Sequence, residues 1–394
     1  MRAASPFDAA TLPDYGGGSI ANLMCSIAGA FGVPRGPCPP LRDALPALAR
    51  RSHLALIVVD GLGYRHLMRA AAASTLARHA QGSLTSVFPS TTASAITTFL
   101  TGVAPAEHGL TGWHVYLQEV DAIAAVLPFQ LRGNDEPLER LGLRAADLSG
   151  HGAFADRIAA TAHAVAPRKI VDSAFNTAHC GRAQRHGYGT LAELFRAVER
   201  CLRGDGERNY VYAYWPELDS IAHEHGIASR QAAEALRRFD EGFARLLASL
   251  QGRDVGVLVT GDHGFIDAPA EKLLLVEQHP RLEAMLARPL WGERRVAYCH
   301  VKPERRAEFE RYVRDELSAV VALHPSHELI DQGWFGPGAP HPRLASRTGD
   351  YTLVMRGDAT IKDWLPGEKR YRHIGVHGGL SEDEMRVPLV VVEP

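Results

Sequence analysis

Residues 54–60 read LALIVVD, six apolar residues in succession followed by an aspartate. Three further segments have the same form, a short apolar run bounded by polar residues. They are YVYAYW (210–215), VGVLVTGD (255–262) and RVPLVVV (386–392). An apolar run without polar alternation is typical of a strand that is buried on both faces. These four segments therefore predict the strands of a central sheet.

Helical patterns lie between the predicted strands. The clearest are LAELFRAVERCL (191–202) and RQAAEALRRFDEGFARLLASL (230–250). Strands that alternate with helices predict an α/β fold, in which a mostly parallel central sheet carries helices on both faces. In such sheets, ligands bind just beyond the carboxyl ends of the strands.

The domain organisation follows from length and from one change of pattern. The chain has 394 residues, of which 46% are apolar and 22% are charged. Since large α/β enzymes often form around one sheet, we predict a single catalytic domain over residues 1–394. A predicted strand at 294–301, a strongly charged helix at 303–317 and a strand at 350–357 depart from the α/β pattern. They predict a small inserted α+β cap subdomain over about 270–350.

Charge and cysteine content limit the expected partners and location. A formal net charge of −2 gives no sign of a nucleic-acid-binding surface, and no apolar run approaches the ~18 residues that cross a membrane. The N-terminus lacks the pattern of a signal peptide. The scattered cysteines include no CxxC pair, which favours reduced thiols and a cytoplasmic location; they are Cys25, Cys38, Cys180, Cys201 and Cys299. We expect a small-molecule partner, and the oligomeric state stays open.

Potential metal ligands follow the predicted strands. They are Asp60, the pair Asp219 and His223, the pair Asp262 and His263, and His377 near the C-terminus. Each alone is a weak signal, because an aspartate at a strand end is most often a turn or cap residue. Together they would meet at one sheet edge, where carboxylate and imidazole suit Zn²⁺. Six ligands are enough for two cations ~4 Å apart.

A dense group of hydroxyls follows another predicted strand. Residues 88–102 read FPSTTASAITTFLTG, with seven serines and threonines. The spacing of Ala93, Ile96, Phe99 and Leu100 predicts a helix that begins near Thr92. A hydroxyl at a helix start lies at the positive end of the helix, and beside a cation it becomes a nucleophile. Without its acidic companions, Thr92 would be interpreted as a helix cap. We expect the other hydroxyls to act as caps and i−4 bonds.

As a set, five segments resemble the alkaline-phosphatase superfamily, and within it the type I phosphodiesterase/nucleotide pyrophosphatase family. They are VVDGLG, FPSTTASAITTFLTGVAPAEHGLTG, ELDSIAHEHG, TGDHGF and GVHGGLSEDEMRVPLVV, in the family's order over about 54–392. The resemblance implies an alkaline-phosphatase-like core with two divalent cations, Zn²⁺ first and Mn²⁺ as the alternative. It assigns one cation to Asp60, Thr92, Asp262 and His263, and the other to Asp219, His223 and His377. It also implies attack by Thr92 on phosphorus and a phosphothreonine that water hydrolyses.

One departure from the family concerns substrate recognition. Family pyrophosphatases commonly carry an asparagine three residues after the nucleophile, where this chain has Ala95. Ser94 or a backbone N–H is the expected substitute. The segments 79–120, 209–229, 254–271 and 373–385 contain no Lys or Arg, which favours phosphodiesters over the more charged monoesters. The aromatic residues expected to stack a base or leaving group are Trp113, Tyr116, Tyr214 and Trp215.

The sequence thus predicts a two-metal phosphohydrolase for phosphodiester or phosphoanhydride bonds, with a small phosphorylated substrate as its partner. Three alternatives stay open. Two use the same site: a phosphomonoesterase, and a transferase that passes the phosphoryl-linked group to an alcohol. The third is a non-catalytic module that binds a phosphorylated ligand, which is expected to have lost its nucleophile or several ligands. All seven positions are intact here, which favours an enzyme.

Overall fold

The computed structural model describes residues 10–43, 45, 51–203 and 208–394. The strands are β1 (His53–Val59), β2 (Ala80–Thr85), β3 (His114–Leu117), β4 (Ala122–Ala125), β5 (Gln130–Leu131), β6 (Thr161–Pro167), β7 (Gln184–Tyr188), β8 (Asn209–Trp215), β9 (Val255–Thr260), β10 (Ile266–Asp267), β11 (Leu273–Leu275), β12 (Trp291–Gly292), β13 (Val296–Cys299), β14 (Val321–Pro325), β15 (Tyr351–Met355), β16 (Thr360–Lys362), β17 (Gly375–Val376) and β18 (Arg386–Val392). The α-helices are α1 (Ile20–Ala30), α2 (Tyr64–Ala70), α3 (Thr75–Arg78), α4 (Thr92–Thr101), α5 (Pro105–His108), α6 (Ala145–Ser149), α7 (Phe154–Arg157), α8 (Ala174–Cys180), α9 (Leu191–Leu202), α10 (Glu217–His225), α11 (Arg230–Ser249), α12 (Pro280–Met285), α13 (Arg306–Tyr312), α14 (Ser326–Asp331), α15 (Leu344–Thr348) and α16 (Glu382–Met385).

A seven-stranded sheet in the order β2-β18-β9-β1-β8-β6-β7 forms the centre of the fold. The five strands from β9 to β7 run parallel, and β18 is antiparallel to both of its neighbours, β2 and β9. This confirms the predicted mostly parallel sheet. The four strands predicted from apolar runs are β1, β8, β9 and β18. Strands β6 and β7, at one end of the sheet, were not predicted, because their sequences, TAHAVAP and QRHGY, mix small and polar residues.

Both faces of the central sheet are buried, which explains the unbroken apolar run of β1. Alternate residues of β1 enter two different cores. Leu54, Leu56 and Val58 pack with α1 and α4 on one face, and Ala55, Ile57 and Val59 pack with α9 and α11 on the other. The helices on both faces confirm the predicted layering. Their starts have the expected caps, since the side chains of Thr190 and Ser229 accept backbone N–H bonds at the first turns of α9 and α11.

A second seven-stranded sheet has the order β14-β15-β13-β12-β3-β4-β5. The predicted insertion at 270–350 contributes β12, β13 and β14 to it, but β3, β4 and β5 come from residues 114–131, and β15 lies just beyond residue 350. The two segments join where Gly292 of β12 pairs with His114 of β3. The sheet therefore draws on a wider part of the chain than 270–350, and the boundaries of a cap subdomain stay a prediction.

The predicted charged helix at 303–317 is helical in three short pieces. A 3₁₀ turn at Pro303–Arg305 leads into α13, and a π-helical turn follows at Val313–Leu317. Elsewhere in the described part of the chain, the longest helix is α11, which is amphipathic. Among the described residues, no helix has the length and apolar character that crossing a membrane requires.

The register of three strands positions the candidate site. Val59 at the end of β1 lies opposite Trp215 of β8, and Val58 lies opposite Thr260 of β9. The three strands therefore end at one edge of the sheet, and the residues that follow them leave the sheet side by side. Those residues are Asp60, the start of α10, and the segment that begins with Gly261.

Candidate metal centre and active site

Three aspartates gather at this edge with too few partners for their charge. Asp60 and Asp262 are fully buried, and the Asp219 side chain is 16% exposed. Asp60 Oδ1, Asp219 Oδ1 and Asp262 Oδ2 are buried, and the described residues offer them no hydrogen-bond donor. No Lys or Arg of the described residues forms an ion pair with any of the three. Burial, reinforced by the neighbouring carboxylates, raises the pKa of Asp60, and burial raises the pKa of Asp219 to about 7. A buried cluster of carboxylates without donors would be stabilised by a bound cation.

Three histidines direct Nε2 toward these orphaned oxygens. His223 Nε2 lies 3.4 Å and His377 Nε2 lies 3.8 Å from Asp219 Oδ1. His263 Nε2 lies 3.3 Å from Asp60 Oδ1 and 3.4 Å from Asp262 Oδ2. Two ligands of one tetrahedral Zn²⁺ are roughly 3.3 Å apart, because each metal–ligand bond is about 2.0–2.2 Å long. The six side chains therefore form two adjacent groups whose spacing matches that of metal ligands.

The opposite ring nitrogen of each histidine is held by the backbone. His223 Nδ1 lies 2.9 Å from the carbonyl of Gly375, and His263 Nδ1 lies 3.1 Å from that of Gly264. His377 Nδ1 lies 3.2 Å from the Ser90 carbonyl. A carbonyl can only accept, so each Nδ1 carries the proton and each Nε2 keeps its lone pair. Burial lowers the pKa of His223 to about 4 and holds the pKa of His377 well below its usual range, so both rings are neutral near pH 7.

Thr92 is the first residue of α4 and faces this cluster. Its Oγ1 lies 3.1 Å from His263 Nε2. Thr92 also lines an open cavity of about 320 Å³ together with Asp219, His223 and His377. The preceding Thr91 is fully buried, and its hydroxyl donates to Glu293 Oε1 at 2.5 Å. The structure thus brings all seven predicted site residues together and turns Thr92, not Thr91, toward the cavity.

The remaining hydroxyls of α4 act locally, as predicted. The hydroxyls of Thr97, Thr98 and Thr101 each donate to the carbonyl four residues earlier. Ser94 donates instead to the carbonyl of Leu110 at 2.9 Å and is fully buried. The Ser94 hydroxyl is thus bonded within the protein interior, and of the two expected substitutes for the missing asparagine the backbone N–H is the one this contact leaves available.

Of the four aromatic residues expected at the site, only Trp113 offers the cavity a partly exposed ring. It is 37% exposed. Tyr116 packs on Trp291, and Trp215 is buried against Phe239. The Tyr214 hydroxyl donates to Asp60 Oδ2 and so orients a proposed metal ligand. Tyr214 and Tyr212 are two residues apart on β8 and share one face of the strand. This spacing gave no sign of the bond from Tyr214 to Asp60, because Asp60 follows a different strand, β1.

Basic residues also reach the cavity, from outside the segments that carry the ligands. Arg132, Arg294 and Lys362 line it. Arg132 pairs with Asp363 and Glu368, both at 2.9 Å, and Lys362 pairs with Glu368 at 3.0 Å. Arg294 has no carboxylate partner among the described residues. Its guanidinium lies over the rings of Trp364 and Tyr371. The predicted preference for diesters, which rested on an absence of Lys and Arg, therefore loses its premise.

Replacement of Tyr214 by Phe is expected to weaken metal binding about 10–100-fold, as is typical when a hydrogen bond to a ligand is lost. Without the hydroxyl, Asp60 Oδ2 loses the donor that fixes its orientation. The matched control is Tyr212→Phe, two residues earlier on the same strand, because the described residues give the buried Tyr212 hydroxyl no partner. Metal titration followed by calorimetry gives both affinities. Equal affinities in the two variants would contradict the assigned role of Tyr214.

Comparison with known proteins adds a family and a fold. Residues 54–380 match the family described as type I phosphodiesterase/nucleotide pyrophosphatase. Among curated proteins, a phosphopentomutase of Shewanella denitrificans is 35% identical over 88 residues. That match covers 22% of this chain and 21% of the relative, so it spans about one fifth of the relative's length.

Solved structures share the fold at low sequence identity. Human ectonucleotide pyrophosphatase/phosphodiesterase 5 is 15% identical with a TM-score of 0.65, over 86% of this chain and 88% of that one. An inactive form of the murine protein in complex with AMP is 14% identical with a TM-score of 0.63, over 85% and 87%. Phosphonoacetate hydrolase from Sinorhizobium meliloti, in complex with phosphonoformate, is 17% identical with a TM-score of 0.59, over 86% and 89%. At these identities, the similarity shows the fold.

Proposed function

Because this chain belongs to the type I phosphodiesterase/nucleotide pyrophosphatase family, we propose that it is a metal-dependent phosphohydrolase that cleaves phosphodiester or phosphoanhydride bonds. One observation carries the proposal beyond family membership. Three orphaned carboxylate oxygens face three imidazole nitrogens beside a threonine at a helix start. This donor set suits Zn²⁺, with Mn²⁺ as the alternative.

The residues present fit two divalent cations. We assign one cation to Asp60, Thr92, Asp262 and His263, and the other to Asp219, His223 and His377. The three carboxylates supply three negative charges toward the four positive charges of two such ions, and each imidazole offers a lone pair fixed by a backbone carbonyl. When bound, the cations supply positive charge that activates a hydroxyl and offsets charge at phosphorus.

Thr92 is the proposed nucleophile. A bond forms between Thr92 Oγ1 and phosphorus as the bond from phosphorus to the leaving oxygen breaks, and the hydroxyl proton is released. Water then cleaves the bond from Oγ1 to phosphorus and restores the hydroxyl. The positive end of α4 lies at this position and favours the negative phosphoryl group. The cavity of about 320 Å³ is the size of a site for a small phosphorylated compound.

The test is the activity of protein stripped of metal and then supplied with Zn²⁺ or Mn²⁺. The panel contains bis(p-nitrophenyl) phosphate, p-nitrophenyl phosphate and p-nitrophenyl sulfate. We expect activity on a phosphate ester that vanishes with chelator and returns with metal. Full activity in the stripped protein, or activity on the sulfate alone, would refute the proposal. Addition of an alcohol acceptor separates a hydrolase from a transferase, because a transferase yields the phosphorylated alcohol.

A phosphomonoesterase is the second candidate function, and Arg294 favours it. A monoester carries nearly two negative charges and a diester carries one. Three basic residues line the cavity, and two carboxylates pair with Arg132 and Lys362, which leaves the Arg294 guanidinium without an anionic partner in the described structure. A guanidinium without a carboxylate partner in a phosphate site is suited to the additional charge of a monoester.

Replacement of Arg294 by Gln is expected to lower kcat/KM for p-nitrophenyl phosphate about 10–100-fold, since a hydrogen bond to a charged group contributes about 1.5–3 kcal/mol. The rate on bis(p-nitrophenyl) phosphate should change much less. Arg294→Lys is the control, because it keeps the charge and should recover part of the monoester rate. If Arg294→Gln lowers kcat/KM by the same factor for both substrates, the guanidinium does not select monoesters. The phosphodiesterase function is then favoured.

A further inference from the structure

A second cluster of metal-ligating side chains lies away from the proposed active site. It consists of His163 on β6, His186 on β7 and Cys201 near the end of α9. One potential ligand atom from each residue lies within 4.8 Å of the other two. His163 Nδ1 and His186 Nε2 are 3.1 Å apart. In the parallel register His163 lies opposite Gln184, so both histidines point to the same face of the sheet, the face that α9 covers.

The ring of His163 is oriented by its neighbours. His163 Nδ1 faces His186 Nε2 at 3.1 Å, so one of these two nitrogens carries a proton in the metal-free protein, and both offer lone pairs once that proton moves to the opposite ring nitrogen. The Asn209 side chain, whose amide nitrogen lies 3.1 Å from His53 Nδ1, is a further polar neighbour of the His163 ring.

Cys201 is the third potential metal ligand of this cluster, and a surface cavity lies beside it. Cys201 is 7% exposed, and the described residues form no hydrogen bond with its thiol. Burial lowers the pKa of both histidines, so each ring is neutral near pH 7. Burial raises the pKa of the Cys201 thiol to about 11, and the positive charge of the neighbouring Arg200 offsets only part of this rise, so a cation must displace the thiol proton when it binds. His186 lines a surface cavity with Arg196 and Arg200, so solvent reaches this one of the three residues.

We propose that His163, His186 and Cys201 bind a further divalent cation, Zn²⁺, separate from the cations of the active site. Two imidazoles and one thiolate are ligands that Zn²⁺ prefers, and water from the surface cavity is the available fourth ligand. Binding forms one bond from zinc to sulfur and two to nitrogen, and the Cys201 proton passes to solvent without any change of oxidation state. The ion would tie β6, β7 and α9 together at the sheet edge, which makes its role structural.

Cobalt substitution distinguishes this site from the active site. Co²⁺ bound by a thiolate absorbs in the near ultraviolet by sulfur-to-metal charge transfer, whereas the ligands proposed for the active site include no sulfur. The full chain, stripped of metal, is titrated with Co²⁺ and followed by absorbance and by metal content after gel filtration. The variants are Cys201→Ser and His186→Ala. Cys180→Ser is the control, because Cys180 is another buried thiol at a helix end.

We expect three bound equivalents and a charge-transfer band in the original protein and in Cys180→Ser. Cys201→Ser and His186→Ala should lose the band and one equivalent while phosphohydrolase activity is unchanged. No charge-transfer band in the original protein, or a band that persists in Cys201→Ser, overturns the proposal; in the second case the sulfur ligand is another cysteine, such as Cys38. A band with a single bound equivalent would support this site and refute the two-cation active site instead, so the two proposals fail independently.

Discussion

Turnover by the Thr92→Ala variant is expected to fall by roughly 10⁴-fold or more, because the hydroxyl that attacks phosphorus is removed. The fold should persist. Thr92 is the first residue of α4, and the helix starts without a side-chain cap bond from Thr91. Alanine is also the better helix former, so the loss of stability should stay near 1 kcal/mol. Metal content should change little, because the carboxylates and imidazoles remain.

The control for Thr92→Ala is Thr97→Val, a hydroxyl removed from the same helix. The Thr97 hydroxyl bonds only the carbonyl of Ala93 in the described structure, so its loss should leave turnover nearly unchanged. Thr91→Ala tests the register. Because Thr91 donates to Glu293 rather than facing the cavity, it should lower turnover far less than Thr92→Ala. If Thr91 is essential and Thr92 is dispensable, the assignment of the nucleophile is wrong.

Trapping of a covalent intermediate tests directly whether Thr92 is the nucleophile. Acid quenching during turnover, followed by mass spectrometry of the peptide that contains Thr92, should reveal a phosphoryl adduct on this residue. The adduct should be absent from Thr92→Ala and present in Thr97→Val. Steady turnover without a burst of product and without any adduct in the original protein would indicate direct attack by water.

The Asp219→Asn variant is expected to lose nearly all turnover and yet to be more stable than the original protein when both are free of metal above pH 7. Burial raises the pKa of Asp219 to about 7, against an ordinary value near 3.9 in the unfolded chain. Between these values the folded protein holds a proton that the unfolded chain releases. Stability is therefore lost as pH rises from about 4 through 7. Asparagine does not titrate, so the variant avoids this loss.

The measurement is the free energy of unfolding in urea with chelator present, at intervals from pH 5 to 8. The original protein should lose a few kcal/mol relative to Asp219→Asn over this range, since one pKa unit corresponds to about 1.4 kcal/mol. Zn²⁺ should reverse the order, because only the original protein keeps the full ligand set. Asp331→Asn, at an exposed aspartate, is the control and should not change the pH dependence. A difference that is independent of pH would show that Asp219 is already ionised without metal.

The parts of the fold that the sequence predicted are those with a local signal. β1 is apolar at every position after His53, because both faces are buried, and α9 and α11 have clear helical periodicity. The clustering of Asp60, Asp219 and Asp262 followed from the rule that parallel strands end at one edge. The assignment of ligands to two cations required the family resemblance, since spacing alone does not separate six ligands into two sets.

Strands were predicted at 294–301 and 350–357, where β13 and β15 lie, but the assembly of the second sheet and of the cavity wall was not predicted, because it depends on pairing between distant segments. Nothing near His114 indicates that it pairs with Gly292, and that pairing brings the second sheet against the active site. Arg294 follows this strand and reaches the cavity for the same reason. Its charge was visible in the sequence, but its position was not. Short strands such as β5, with two residues, also carry too few positions for a pattern.

The position of β18 between β2 and β9 has a consequence for synthesis of the protein on the ribosome. Strand β2 ends at residue 85 and leads directly into the segment that carries Thr92, but its neighbour in the sheet begins only at residue 386. At about 5–20 residues per second, translation of the intervening chain takes roughly 15–60 s. During that interval β2 lacks its neighbour among the described strands of the sheet, and the segment that carries Thr92 is not anchored to the sheet through β2. A chain stalled before residue 386 should therefore be inactive, with an exposed strand edge that chaperones would need to protect.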